Sequence, residues 1–147
     1  MLKNVYKFIV ILSTLIKTKI LLLKPSAGSG SFFNAINQIC DNILLLDIEP
    51  KHSRVQPGNF LKFDKNLSEF KKVHIVGNPP FTILNKFIKQ ASKLADNIGF
   101  ILPLSFRKES RKKAFPLNFH CVYEYVLLNN TFHFNNTMHK VPTVFQI

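Results

Sequence analysis

Asn78-Pro79-Pro80-Phe81 closes the apolar run Val73-His74-Ile75-Val76-Gly77 and is the segment of this chain best suited to chemistry. Two consecutive prolines fix their own φ and donate no backbone hydrogen bond, so a strand must stop there in one rigid shape. An amide on such a corner presents hydrogen-bonding groups to a ligand. In open α/β sheets, ligands bind at the carboxyl ends of the strands. Asn-Pro on its own would read as a strand-ending turn. Two further signals after earlier apolar runs change that reading.

The first is Pro25-Ser26-Ala27-Gly28-Ser29-Gly30-Ser31-Phe32, directly after the run Ile20–Leu23. Gly28 and Gly30 let the backbone turn tightly and approach a ligand. Ser31 or the residues after it begin a helix whose N-terminus favours a negative group. No Lys-Ser/Thr follows the second glycine, so this is not a phosphate-binding P-loop, and the third glycine of the dinucleotide fingerprint is missing too. The second signal is Asp47-Ile48-Glu49-Pro50, which ends the run Ile43–Leu46 and lies 17 residues beyond Gly30. A carboxylate there is placed to accept both hydroxyls of a ribose. Asp47 is preferred because it directly follows the run; Glu49 shares its side of an extended strand and is the alternative.

These signals need elements to hold them. Mostly apolar runs recur at Ile20–Leu23, Ile43–Leu46, Val73–Val76, Ile98–Leu102, Cys121–Leu128 and Val141–Ile147. Strands apolar on both faces imply a mainly parallel sheet covered on each side. Between them, Phe32, Ile36, Ile39 and Cys40 form one helical stripe; Ile83, Phe87, Ile88, Ala91, Leu94 and Ala95 form another, with Asn97 and Gly99 as its expected stop. The alternation predicts a doubly wound α/β fold whose last two strands form an antiparallel hairpin at one edge. The first 17 residues place Val5, Phe8, Ile9, Leu12, Leu15 and Ile16 at helical spacing, which predicts an amphipathic helix packing on the sheet. Residues 1–147 read as one domain.

Composition limits the partners. Apolar residues make up 46% of the 147 positions and charged residues 19%, as in a globular protein. Lys and Arg number 20 against 8 Asp and Glu, a net charge of +12. That excess favours a polyanion, nucleic acid before membrane. With 17 Lys and 3 Arg, phosphate attraction outweighs base-edge reading. Arg107, Lys108, Arg111, Lys112 and Lys113 concentrate charge just after the run Ile98–Leu102, where they could track a nucleic-acid backbone. Phe106 and Phe115 beside them read either as stacking partners for bases or as core. Cys40 and Cys121 lack metal-ligand spacing and read as buried thiols of an intracellular protein, cytoplasmic or nuclear/nucleoid. The five histidines form no ligand pattern, so no metal is expected. No apolar stretch is long enough for stable membrane association.

In order and spacing, Lys24-Pro-Ser-Ala-Gly-Ser-Gly-Ser-Phe32, Leu46-Asp-Ile-Glu-Pro50, Gly58-Asn-Phe-Leu61 and Gly77-Asn-Pro-Pro-Phe81 resemble the motifs of the S-adenosylmethionine-dependent N6-adenine methyltransferases. The resemblance covers about residues 17 to 147. It implies the Rossmann-like class I methyltransferase fold and S-adenosylmethionine as cofactor. Pro25, Ala27, Gly28 and Gly30 would hold its methionine part, Asp47 and Ile48 its ribose side, and Asn59 or Phe60 its adenine. Asn78, Pro79, Pro80 and Phe81 would be catalytic, acting on the N6 amine of adenine in DNA or RNA.

An exocyclic amine is a poor nucleophile because its lone pair is delocalised into the ring. The Asn78 oxygen and the Pro79 carbonyl can accept its two N–H groups, and Phe81 offers a face for the base. The same corner also serves methyltransferases of guanine amines and of a protein glutamine. A degenerate fold that only binds nucleic acid or a partner is the non-enzymatic alternative. The chain departs from the family at Lys24, where an acidic residue is general, and at Asn59, where Asp is more common. No segment reads as a separate target-recognition domain, which suggests a protein partner supplying that role, a flexible substrate, or a fragment of something longer. Lys24 should turn outward or reach the methionine carboxylate.

Overall fold

The computed structural model describes residues 19–127, 131–134 and 137–147. The expected N-terminal helix lies outside them. Seven strands form one sheet: β1 (Ile20–Pro25), β2 (Asn42–Asp47), β3 (Gln56–Pro57), β4 (Lys72–Gly77), β5 (Asn97–Pro103), β6 (Glu124–Leu127) and β9 (Thr143–Gln146). Their order is β3-β2-β1-β4-β5-β9-β6. Two more strands, β7 (Thr131–Phe134) and β8 (Thr137–Lys140), pair separately with each other in antiparallel fashion, between β6 and β9 in the sequence.

β3, β2, β1, β4 and β5 are mutually parallel, while β9 runs antiparallel to both β5 and β6. The mainly parallel, doubly wound sheet is therefore as expected. The expected antiparallel pair, β9 with β6, closes one edge, and within it the reversed strand β9 takes the inner place. Burial decides this: all four β9 residues are buried, whereas Glu124 and Tyr125 of β6 are exposed. The polar-faced strand takes the edge, where unpaired backbone can meet water.

Consecutive β1 residues point to opposite faces. Leu21 and Leu23 join Val73, Ile75, Ile98, Phe100 and Leu102 beneath the helix α2 (Leu84–Leu94), which contributes Leu84, Phe87, Ile88 and Ala91. Leu22 faces the other side with Ile36 and Phe32. There the cover is a helix of four residues, α1 (Phe33–Ile36), far shorter than the stripe through Cys40 predicts. Asn34, Asn37 and β-branched Ile36 are poor helix formers, and the Ile36 carbonyl ends the helix by accepting from both the Ile39 amide (2.9 Å) and the Cys40 amide (3.1 Å).

Asn97 and Gly99 do not stop α2. Both belong to β5, and the helix ends at Leu94 with Ala95 extended. Asp96 makes the junction: its carboxylate accepts from the Val73 amide and from Lys72, each at 2.8 Å, so β4 and β5 start in register. Gly99 is small because the Val76 side chain and the Phe145 ring crowd it; a Cβ there would lie 3.1 Å and 3.3 Å from them. Cys40 is half-buried, but Cys121 is exposed in the coil before β6, against expectation, because the strand starts only at Glu124. Among the described residues no helix is long and apolar enough to cross a membrane.

Candidate active site at the carboxyl edge of the sheet

β1, β2 and β4 are neighbours and parallel, so the segments following them meet at one edge. Hydrogen bonds join the first two. The Ala27 amide donates to the Leu46 carbonyl (3.1 Å) and the Lys51 amide to the Gly28 carbonyl (3.2 Å). Asp47 is the centre of this junction. Its Oδ2 accepts from the Gly28 amide at 2.7 Å and its Oδ1 from the Glu49 amide at 2.9 Å. Each oxygen keeps a further lone pair. Between the two candidates for that role, it is Asp47 that reaches the loop.

The loop needs unusual backbone. Ser26, Gly28 and Gly30 have φ of +53°, +52° and +71°. For the glycines this costs little, but for Ser26 it is a strained conformation that its surroundings must hold. Pro25 is fully buried and Ala27 nearly so, which anchors the loop's base in the core. Lys24 does not turn outward. It is 2% exposed, donates to the Ser26 carbonyl at 3.1 Å, and holds its ammonium 4.7 Å from the Phe32 ring centroid. Burial pushes its pKa down to about 8, with the Asp47 carboxylate pulling the other way.

The Asn-Pro-Pro-Phe corner begins where the end of β4 lies against the end of β1, at the base of this loop. A Cβ on Gly77 would lie 3.2 Å from the Pro25 carbonyl, so a glycine lets the end of β4 close on the end of β1. Pro79 is buried, and Pro80 is extended (φ −64°, ψ 122°) before a 3₁₀ turn over Phe81–Ile83 leads into α2. The Asn78 Oδ1 is buried and has no hydrogen-bond partner among the described residues. Buried polar atoms are nearly always satisfied, so an orphaned acceptor at this place is a functional signal. Ser92 Oγ is also orphaned, but on α2.

The fourth motif divides. Asn59 caps the 3₁₀ turn Phe60–Lys62 through Oδ1, which accepts from the Leu61 amide at 2.9 Å. Phe60 is 4% exposed and packs against Phe87 with ring centroids 5.1 Å apart, a core position. Gly58 fits under Leu46, whose Cδ1 would be 2.7 Å from a Cβ. Ile48, by contrast, is 70% exposed beside Asp47.

The basic run forms a 3₁₀ turn (Leu104–Arg107) and the short helix α3 (Glu109–Lys112). Arg107 is committed to Glu124 at 2.6 Å and Lys112 pairs with Glu109. Lys108 and Lys113 are exposed. Arg111 lines a cavity of about 400 Å³ together with Phe81, Asn85, Lys86, Ser105 and Phe106. The cavity joins the corner to the basic run, and Lys86 is a contributor that the sequence reading missed; its neighbourhood to Phe81 on the first turn of α2 was the available clue. Phe106 is 3% exposed and Phe115 packs on the main core, so both are core residues. His74 is likewise buried and shares a 3.1 Å hydrogen bond with Asn97; burial holds its pKa below the usual value.

Solved structures of similar shape are known. The 23S rRNA methyltransferase ErmE superposes with a TM-score of 0.60 at 11% identity, over 98% of this chain and 66% of that one. The fold is that of the class I methyltransferases. N-methyltransferase NodS from Bradyrhizobium japonicum WM9, in complex with S-adenosyl-L-homocysteine, gives 0.58 at 12% identity over 98% and 86%. A dimethyladenosine transferase from Plasmodium falciparum gives 0.54 at 15%, over 98% and 60%. This chain thus spans two thirds or less of the ErmE and Plasmodium proteins. No protein-family model matches this chain, and no curated protein matches it.

Proposed function

We propose that this protein transfers a methyl group from S-adenosylmethionine to the N6 amine of adenine in a nucleic acid. The observation that carries the reading is the buried Asn78 Oδ1, without a hydrogen-bond partner among the described residues, on the Pro-locked corner that follows β4, whose Gly77 closes on the end of β1. Residues present suit the cofactor. Asp47 retains acceptor capacity for ribose hydroxyls, exposed Ile48 offers an apolar surface for the nucleoside to cover, and the Asn59 amide nitrogen remains to donate to its adenine. Phe60, a core residue, would support Asn59 rather than touch the ligand.

When bound, the cofactor supplies a methyl carbon made electrophilic by its sulfonium. Asn78 and the Pro79 carbonyl would accept the two N–H groups of the target amine and favour a more pyramidal nitrogen. The same acceptors would stabilise the positive charge that grows on that nitrogen as its bond to the methyl carbon forms and the carbon–sulfur bond breaks, leaving S-adenosylhomocysteine, with the surplus proton then lost to solvent. Phe81 would stack on the base, which must be flipped or single-stranded to reach it. Lys86 and Arg111, with Lys108 and Lys113 beyond, would attract the backbone on either side.

The test is transfer of tritium from labelled S-adenosylmethionine to DNA, RNA and protein acceptors, followed by hydrolysis and identification of the labelled residue. N6-methyladenine is expected. Label in guanine or in a protein glutamine overturns the adenine assignment, and protein that binds no cofactor overturns the enzyme reading.

A further inference from the structure

The loop after β1 holds a buried cation that, among the described residues, no carboxylate pairs with directly. Lys24 leaves β1 on the face of Leu22, is 2% exposed, and among the described residues donates only to the Ser26 carbonyl. An ammonium has three N–H donors. Among the described residues no carboxylate lies within 4.0 Å of Nζ; the nearest candidate, Asp47, has each oxygen engaged by a loop amide. The Phe32 ring 4.7 Å away offers some compensation through its π face. Burying a charge without a paired and hydrogen-bonded partner is costly, and proteins ordinarily neutralise or replace such a group. Met or Leu would fill this place between Leu22 and Phe32 without that cost.

We propose that Lys24 is the counter-ion for a carboxylate of the ligand held by the Gly28–Gly30 loop, and so determines the specificity of that site. The inference rests on the methyltransferase reading, which makes that group the α-carboxylate of the cofactor's methionine part. Two features place the ammonium to do this. Its bond to Ser26 directs it toward the strained start of the loop, and Ser26, Gly28 and Gly30 all have left-handed φ that opens the loop backbone. The site then selects ligands that carry the carboxylate, whereas a site with an acid at this position would select for the ammonium.

Calorimetry separates the two ideas. Native protein is titrated with S-adenosylmethionine and with its decarboxylated form, which keeps the adenosine, the sulfonium and the amine. The decarboxylated ligand is expected to bind at least tenfold more weakly. In Lys24→Met, S-adenosylmethionine should lose about the same factor and the difference between the ligands should vanish. Equal affinity of the native protein for both ligands overturns the role of Lys24 and leaves the methyltransferase reading standing. Tighter binding of S-adenosylmethionine by Lys24→Glu overturns it as well. Binding of neither ligand overturns both. The two-ligand comparison on native protein stands even if a Lys24 variant fails to fold.

Discussion

The Gly28 amide donates to the Asp47 carboxylate at 2.7 Å, which makes the loop after β1 and the acid ending β2 one structural unit. Asp47→Ala therefore removes a loop anchor together with the proposed ribose contact. Cofactor affinity should fall by about 1.5–3 kcal/mol, the order for hydrogen bonds to a charged group. Calorimetric titration of both proteins checks this, with unchanged affinity as the contrary outcome.

Asn78→Ala should move activity and stability in different directions. Methyl transfer should drop by roughly a hundredfold or more, as for other preorganised transition-state hydrogen bonds. Cofactor affinity should stay the same, because the lost bond is made with the target amine. Thermal stability should hold or rise, since the substitution deletes a buried acceptor that has no partner. A large loss of stability would show that Asn78 is structural.

Lys24 should leave a signature in the pH dependence of stability. Its pKa falls from 10.5 to about 8 in the folded protein. Below 8 the lysine is charged in both states, so folding bears the full cost of burying it. Between 8 and 10.5 the unfolded chain binds more protons, and stability contributed by this group rises with pH. At 1.36 kcal/mol per unit the span is about 3 kcal/mol. Lys24→Met should thus be the more stable protein at pH 7, by up to about that amount. Chemical denaturation at pH 7 and pH 10 should show the advantage shrinking; a constant difference would mean the ammonium is solvated.

Binding to single-stranded oligonucleotides should weaken steeply with salt. If Lys86 and Arg111 each neutralise one phosphate, Lys86→Gln with Arg111→Gln should flatten the log–log slope by about 1.4. Arg107→Gln should change it less, because Glu124 already holds that guanidinium. An unaltered slope in the double variant would move the nucleic-acid path elsewhere.

Gly77→Ala would put a methyl group 3.2 Å from the Pro25 carbonyl. Backbone on both sides leaves little room to yield, so the corner and the loop should separate. Cofactor affinity and methyl transfer are expected to fall together, in contrast to Asn78→Ala. Parallel binding and transfer assays on the two variants distinguish them.

Much of this was legible locally. Apolar runs, Pro-Pro and Gly-rich turns act through φ, ψ and burial within a few residues, so the succession of the main strands along the chain, the rigid corner and the loop could be read from residue types alone. Asp47 could be preferred over Glu49 because it directly follows its run. Contacts between distant segments could not be read. That Phe60 would meet Phe87 in the core, that Glu124 would occupy Arg107, and that β9 would slip between β5 and β6 depend on which side chains share space after folding. Lys24 shows the division best. Its position was evident from the sequence, but burial with a single hydrogen bond is decided by Phe32, Ser26 and Asp47 closing around it, and only a tertiary environment can turn an ordinary lysine into a cation in need of a partner.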